Sequence, residues 1–176
     1  MFIKIFLVFA LAVVVVLVIA ATRPSEFRVE RSAALVAAPA VVFSQVNDLH
    51  AFAQWNPFAK ADPQIKVTFD GPRSGAGAVL RWSGNSQVGE GSMTLTESRP
   101  DDLIRMRLDF LKPFPSSASA EFTFKPQGDH TLVTWTLSGR HTFLPKLIGL
   151  FMNMDEMIGG QFERGLADLQ SRVQPR

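Results

Sequence analysis

The 176-residue sequence contains no cysteine and no tyrosine. Without cysteine, disulfides and thiolate ligands or nucleophiles are excluded, and without tyrosine a frequent hydrogen-bond donor of apolar binding sites is missing. Its three histidines, His50, His130 and His141, are widely separated and show no spacing typical of a metal site. We therefore expect no metal and no cofactor. Each histidine is predicted to be an ordinary surface residue, with His141 the best exception because it precedes the last helix.

A strong charge imbalance is also missing. Outside the first 22 residues the chain carries 17 basic and 16 acidic side chains. No basic stripe with interleaved aromatic residues is present, and this argues against a nucleic-acid partner. The sequence identifies no protein partner.

One long apolar run stands at the N-terminus. Residues 5–21 contain no charged side chain, and a run of this length can cross the hydrocarbon core of a bilayer. We predict that residues 1–22 form an uncleaved single-pass transmembrane anchor and that residues 23–176 form one domain. Secretory signals have shorter apolar regions, which favours the anchor. Cleavage after Ala20 or Ala21 is the alternative.

The orientation of the anchor depends on the basic residues that flank it. Lys4 alone precedes the apolar run, which favours an extracytoplasmic domain. Arg23, Arg28 and Arg31 follow the run closely and favour the opposite orientation. We expect the domain to be extracytoplasmic.

Hydrophobic periodicity predicts an α+β domain. Residues 26–37 read as a strand, and two short helices follow in 38–47 and 49–54. Six runs then alternate apolar and polar side chains, which is typical of antiparallel strands with one buried face. These runs are 65–69, 78–82, 93–95, 104–110, 118–124 and 133–137.

A helical apolar stripe closes the chain. Thr142 is predicted to cap it and Pro145 to lie in its first turn, and the stripe continues from Leu147 through Phe151 to Val173. This predicted helix contains three glycines, each of which costs about 1 kcal/mol relative to alanine. We expect Gly165 to allow close packing on the sheet. For Gly159 and Gly160 a bend and a hinge at a cavity entrance both stay open.

The order of these elements resembles the START-like (SRPBCC) superfamily, and more closely its polyketide cyclase/dehydrase and lipid-transport family. The stretches that carry the resemblance are AAPAVVFSQVNDLHAFAQWNPF, GAVLRWSG, GEGSMTLTESRPDDLIRMRLDF, TLVTWTLSG and MDEMIGGQFERGLADL. It implies a helix-grip fold, in which a curved seven-stranded antiparallel sheet surrounds a long C-terminal helix, with two short helices after strand 1. It also implies an apolar cavity between sheet and helix. It implies no single activity.

Large apolar residues on the inward faces are the predicted ligand-binding residues. Small inward residues such as Gly91 and Ala118 either let the helix approach or leave a void. An anion-binding Arg31 and an acid–base pair formed by Asp155 and Glu156 are alternatives to plain surface roles, and we expect the surface roles. No catalytic residue is predicted. The predicted cavity residues are Trp55, Phe58, Trp82, Met93, Met106, Phe110, Phe122, Trp135, Met154, Ile158 and Phe162.

These observations favour a membrane-anchored domain that binds a hydrophobic small molecule or lipid without chemistry. A cyclase- or dehydratase-type enzyme acting on an apolar substrate is the first alternative, and the scarcity of inward polar residues argues against it. A protein-interaction module with a filled core is the second. An exposed apolar patch at residues 110–115 would favour that module, because such a loop can dock on a partner or on a bilayer.

Overall fold

The computed structural model describes residues 2–22, 24–86, 88–140 and 153–174, with the backbone alone at 2–5, 7–9, 12, 13, 20 and 154. The elements follow the predicted order of one strand, two short helices, six strands and one helix. In chain order they are α1 (Phe2–Thr22), β1 (Glu26–Leu35), α2 (Pro39–Asn47), α3 (Leu49–Trp55), a 3₁₀ turn (Pro57–Lys60), β2 (Lys66–Asp70), β3 (Val79–Ser83), β4 (Glu90–Arg99), β5 (Leu103–Lys112), β6 (Ser116–Gln127), β7 (His130–Arg140) and α4 (Met154–Val173).

The seven strands form one antiparallel sheet in the order β1-β7-β6-β5-β4-β3-β2. Each strand from β2 to β7 pairs with the next along the chain, and β1 closes the order by pairing with β7. The predicted α+β class and the seven-stranded sheet are confirmed. Alternating residues of each strand face the helices and form the core, while their neighbours face solvent.

A proline and two polar side chains set the bounds of the short helices. Pro39 opens α2, where its missing N–H leaves no hydrogen bond unmade. Asp48 separates α2 from α3, and its Oδ1 accepts a hydrogen bond from the His50 N–H at 2.8 Å. Asn56 ends α3 and caps the 3₁₀ turn, because its Oδ1 accepts from the Phe58 N–H at 3.2 Å. These caps place α3 against the sheet through Phe52 and Trp55.

Helix α4 begins later than the predicted continuous helix. Asn153 has extended backbone, and its Oδ1 accepts a hydrogen bond from the Glu156 N–H at 3.3 Å. Asn and Asp side chains satisfy free N–H groups at helix starts, so this cap ends the helix on its N-terminal side. A single helix through residue 153 is therefore wrong. The predicted part before it, 142–152, and His141 lie outside the described residues.

Helix α4 lies close to the ring of Trp135 on the sheet at Gly165. A Cβ at this position would lie 2.9 Å from Cζ3 of Trp135 and 3.0 Å from Cδ of Pro57. One turn earlier, Phe162 stacks on Trp135 with ring centroids 4.0 Å apart and planes inclined by 6°. The expected role of Gly165 in close packing is confirmed.

A second tie joins α4 to β1 through Arg31. Its Nη2 lies 2.9 Å from Oδ2 of Asp155, and its Nε lies 2.9 Å from Oε1 of Glu163. Hydrogen bonding to Asp155, with that to Glu163 second, raises the pKa of Arg31, and the Arg31 hydrogen bond holds the pKa of Asp155 below its ordinary value. Arg31 and Asp155 are thus partners in a structural ion pair.

Gly159 makes room for this ion pair. A Cβ there would overlap the Arg31 guanidinium, at 2.7 Å from Nε and closer still to Cζ and Nη2. At Gly160 nothing lies within 4 Å of the same atom. The space that the Arg31 guanidinium occupies therefore explains why residue 159 is a glycine, whereas no neighbour of residue 160 requires a glycine.

The two adjacent glycines form a matched pair for mutation. We expect Gly160→Ala to raise the free energy of unfolding by about 0.5–1 kcal/mol, because alanine has the better helix propensity. The free energy of unfolding of Gly159→Ala should be at least about 1 kcal/mol lower than that of Gly160→Ala, because the added methyl group displaces the Arg31 guanidinium from two hydrogen-bonded carboxylates. Denaturant unfolding of both variants measures the difference. Equal stabilisation by the two alanines would contradict the assigned role of Gly159.

The N-terminal helix α1 contributes no residue to the described hydrophobic core. Several of its side chains are exposed, among them Phe6 (69%) and Leu11 (65%). Among the helices as far as they are described, none is both long and apolar enough to cross a membrane.

Candidate functional site

Five aromatic rings fill the space between α3, α4 and the middle of the sheet. Phe122 stacks on Trp135 at 4.8 Å, and the other face of Trp135 stacks on Phe162. Phe52 and Trp55 meet this stack edge-on, with Trp55 5.7 Å from Trp135. All five are at most 4% exposed. Such edge-to-face and stacked contacts are typical of a packed core, so this part of the inner face is filled.

A second part of the inner face stays half-buried. Phe27, Trp82, Leu108, Phe110 and Leu137 belong to it, and we call these five residues the apolar floor. The register places them on one face, because Phe27 pairs with Gly139, Gly139 with Ala118, and Ala118 with Leu108. Ile158 of α4 is also half-buried and packs against the same core.

Two glycines let aromatic rings lie flat across this floor. A Cβ at Gly91 would lie 2.5 Å from Cζ2 of Trp82 and 2.6 Å from the carbonyl oxygen of Asp109. Trp82 then reaches Phe110 on the far side of Gly91, with ring centroids 5.7 Å apart. A Cβ at Gly139 would similarly lie 2.9 Å from Cε1 of Phe27. Gly91 and Gly139 are therefore covered by neighbouring rings.

The floor carries no ionisable side chain among the described residues. Arg31 shares its face but is held by Asp155 and Glu163, and the structure describes no group of three or more potential metal ligands. His50 stacks on Phe69 at 3.8 Å, near the far edge of the sheet. His130, the first residue of β7, lies beside Asp129 of the β6–β7 turn. In the described residues, the floor offers apolar contact and no acid–base pair.

The predicted cavity residues therefore divide into three groups. Trp55, Met93, Met106, Phe122, Trp135 and Phe162 are buried in the core, Trp82, Phe110 and Ile158 are half-buried at the floor, and Phe58 is 39% exposed. The side chain of Met154 lies outside the described part. Phe58 still approaches Phe162, with ring centroids 6.4 Å apart.

The sequence prediction missed three floor residues: Phe27, Leu108 and Leu137. Each alternates with outward polar neighbours, so the period-two pattern already placed them on the inner face. It missed Asp62 as well, a carboxylate that is only 6% exposed. The Oδ2 of Asp62 accepts a hydrogen bond from the Asn85 N–H at 2.7 Å, which fixes the β3–β4 loop beside Trp82. No local pattern signals that long-range bond.

The position of Trp82 can be tested at Gly91. We expect Gly91→Ala to lower the free energy of unfolding by about 1–3 kcal/mol, because the added methyl group collides with a ring and with backbone. Trp82 should shift, and intrinsic fluorescence should report the change. Ser92→Ala, next in sequence on the opposite face, is the control and should stay within about 0.5 kcal/mol. If both variants unfold like the wild type, Trp82 does not lie across Gly91.

Comparisons with known proteins agree with this architecture. The family model described as polyketide cyclase / dehydrase and lipid transport matches residues 26–174. No curated protein matches the chain.

Solved structures share the fold at low sequence identity. A protein of Chromobacterium violaceum is 18% identical, with 88% of this chain and 100% of that chain covered and a TM-score of 0.61. A major latex-like protein of Panax ginseng is 10% identical, with coverage of 86% and 99% and a TM-score of 0.60. The di-domain ARO/CYC protein BexL of the BE-7585A biosynthetic pathway is 11% identical, with coverage of 90% and 53% and a TM-score of 0.61. At these identities the likeness shows the fold alone.

Proposed function

The chain belongs to the polyketide cyclase/dehydrase and lipid transport family, and we propose that its domain binds a hydrophobic small molecule or a lipid on the apolar floor. One observation carries the proposal: Phe27, Trp82, Leu108, Phe110 and Leu137 stay half-buried on the inner face of the sheet. A contiguous apolar surface of this kind marks binding sites.

Binding without chemistry fits the floor better than catalysis. A cyclase or dehydratase has to move protons, and this requires a positioned acid or base at the substrate. The described floor provides none, and the guanidinium that shares its face, that of Arg31, is occupied by two carboxylates. A ligand that covers about 300 Å² of apolar surface gains roughly 7 kcal/mol before the ordering costs are subtracted. Apolar contact alone can thus support binding.

Substitution of Ala118 tests the location of the site. Ala118 lies at the centre of the floor, paired with Gly139 on one side and Leu108 on the other. We expect residues 24–176, expressed alone, to retain a stoichiometric apolar adduct in native mass spectrometry, and extraction should identify its class. Ala118→Trp should lose the adduct because the new ring occupies the floor. Ser119→Trp, on the opposite and exposed face, is the matched control and should keep it.

The isolated domain is suitable for this experiment. Its described core runs from Val29 to Val173, and the C. violaceum relative consists of this domain alone. An Ala118→Trp domain that keeps the adduct at the level of Ser119→Trp would place the ligand elsewhere. A wild-type domain that carries no adduct and takes up no cis-parinaric acid would contradict the binding function.

We further propose that residues 1–22 form an uncleaved membrane anchor with the domain on the extracytoplasmic side. Support comes from the uncharged run 5–21 and from the exposure of apolar α1 side chains, such as Val14 (54%) and Val18 (56%). Side chains of this kind are stable in contact with lipid and unfavourable in water.

Expression of the full chain in bacterial cells tests the anchor. The full chain should keep its intact mass and stay in the membrane pellet at alkaline pH, whereas residues 24–176 should be soluble. A cysteine introduced at Asp129 in the cysteine-free chain should react with a membrane-impermeant maleimide added to intact spheroplasts. Release at alkaline pH would contradict the anchor. Protection of the cysteine until lysis would contradict the orientation.

A further inference from the structure

The two ends of the sheet differ in what they expose. We call the end at which β1 begins the near end. It comprises Glu26, the β7 terminus Arg140, the β3–β4 loop 84–89, and residues 111–115, which are the last two residues of β5 and the hairpin loop that follows them. These segments share one end because neighbouring strands are antiparallel. The far end comprises the β4–β5 and β6–β7 turns. Strands of 10 to 12 residues separate the two ends by about 30 Å.

The hairpin loop of the near end exposes large apolar side chains. Leu111 is 60% exposed and Phe114 is 55% exposed, and Pro113 and Pro115 flank Phe114. Backbone contact holds the base of the loop, since a Cβ at Gly89 would overlap the Lys112 carbonyl oxygen. Gly89 has φ +70°, a conformation that glycine adopts without strain. The apolar tip therefore projects from a fixed base.

Charged side chains line a groove beside the same end of the sheet. This open groove of about 900 Å³ is lined by Arg28, Arg107 and Arg140, by Glu26, and by serines of β6 and β7. Arg28 and Arg107 are ion-paired with Glu30 and Asp109, yet both remain more than 60% exposed. Arginine and serine donate the hydrogen bonds that phosphate groups accept.

The turns at the two ends differ in charge. The loops 84–89 and 111–115 contain no acidic residue, and Lys112 is their single charged residue. At the far end, Asp101 and Asp102 lie in the β4–β5 turn and Asp129 in the β6–β7 turn. Lys112 is paired with Glu90 at 2.9 Å, so the near end is close to neutral and an anionic surface would repel it less than the far end.

The chain itself ties the near end to the N-terminal helix. Helix α1 ends at Thr22 and β1 begins at Glu26. Four residue steps span at most about 14 Å, so an anchored α1 keeps Glu26 within that distance of its own end. Of the two ends of the sheet, only the near end is held at that distance.

We propose that the near end docks on an anionic bilayer surface. Leu111 and Phe114 enter the interface between headgroups and acyl chains, and Arg28 and Arg140 bind lipid phosphates. This inference rests on the proposed anchor and adds a second, independent contact with the same membrane. The energetic contributions are those of interfacial segments, namely burial of apolar side chains and attraction between basic residues and anionic lipids.

Single-cysteine labelling of the full chain tests the docking. The chain has no cysteine of its own, so Ser116→Cys at the near end and Asp129→Cys at the far end each carry one environment-sensitive dye. Both variants are placed in nanodiscs of phosphatidylcholine with one quarter phosphatidylglycerol, with and without nitroxide-labelled lipid. We expect nitroxide to quench the Ser116 dye by at least about two-fold and to leave the Asp129 dye unchanged, because interfacial insertion reaches roughly 5–10 Å.

The apolar tip and the arginines are then removed separately, with the Ser116 dye as the reporter. Leu111→Ser/Phe114→Ser should abolish the quenching, and Arg28→Gln/Arg140→Gln should weaken it in anionic discs. All four side chains are exposed, so folding should be little affected, and an unchanged Asp129 dye spectrum checks this.

Each result separates docking from anchoring. Co-elution with the discs while neither dye is quenched would overturn docking and leave the anchor intact. Equal quenching of both dyes would show that the domain lies on its side, and this also overturns the proposal. A chain that does not co-elute with the discs would remove the anchor and the docking together, without affecting ligand binding by the isolated domain.

Discussion

The architecture depends on the contact between α4 and the β1–β7 half of the sheet. Phe162 stacks on Trp135 at 4.0 Å, and Gly165 lets the helix backbone approach the same ring. Aromatic stacking of this kind adds to the free energy of apolar burial. The position of this stack determines which part of the inner face α4 covers, because a helix can cover only the strands that it contacts.

The stack divides the inner face into a filled and an open part. Behind it, Phe52 and Trp55 contact Phe122 edge to face, with ring centroids 6.1 and 6.2 Å apart. Beyond it, toward Trp82 and Phe110, the described elements place no helix over the sheet, and those side chains stay half-buried. Arg31 fixes this division, because its two ion pairs hold α4 along β1 and Gly159 gives the guanidinium its place.

The alternation of apolar and polar side chains predicted the strands of this fold, because that pattern is local. A period-two pattern such as that of Ile104 to Phe110 depends only on which side chains face the core. The glycines behaved differently. Gly159 leaves room for the Arg31 guanidinium of β1, and Gly91 leaves room for the Trp82 ring of β3. The residues adjacent in sequence to each glycine do not predict these contacts. The start of α4 at Asn153 was missed because an apolar stripe continues past the capping residue.

The sequence predicted the apolar character of the candidate site, but not which of the apolar residues line it. Sequence patterns placed eleven large residues at the predicted cavity, yet burial separates Trp55 and Phe122, which fill the core, from Trp82 and Phe110, which do not. That separation depends on the length and position of α4, which are properties of the whole fold. Phe27 was overlooked because a residue so close to the start of a strand can belong to a frayed end as well as to the floor.

The open part of the inner face and the proposed membrane-facing end meet at the same strand termini. Phe110 of the floor directly precedes Leu111 of the exposed hairpin, and Phe27 of the floor directly follows Glu26, where the domain leaves the linker from α1. If the near end lies on the bilayer, the floor begins where the acyl chains begin. An apolar ligand would then exchange between bilayer and floor without crossing water, a step that otherwise costs about 25 cal/mol for each Å² of apolar surface exposed. Anchor, hairpin and floor would thus lower one barrier, that of transferring an apolar molecule out of the membrane.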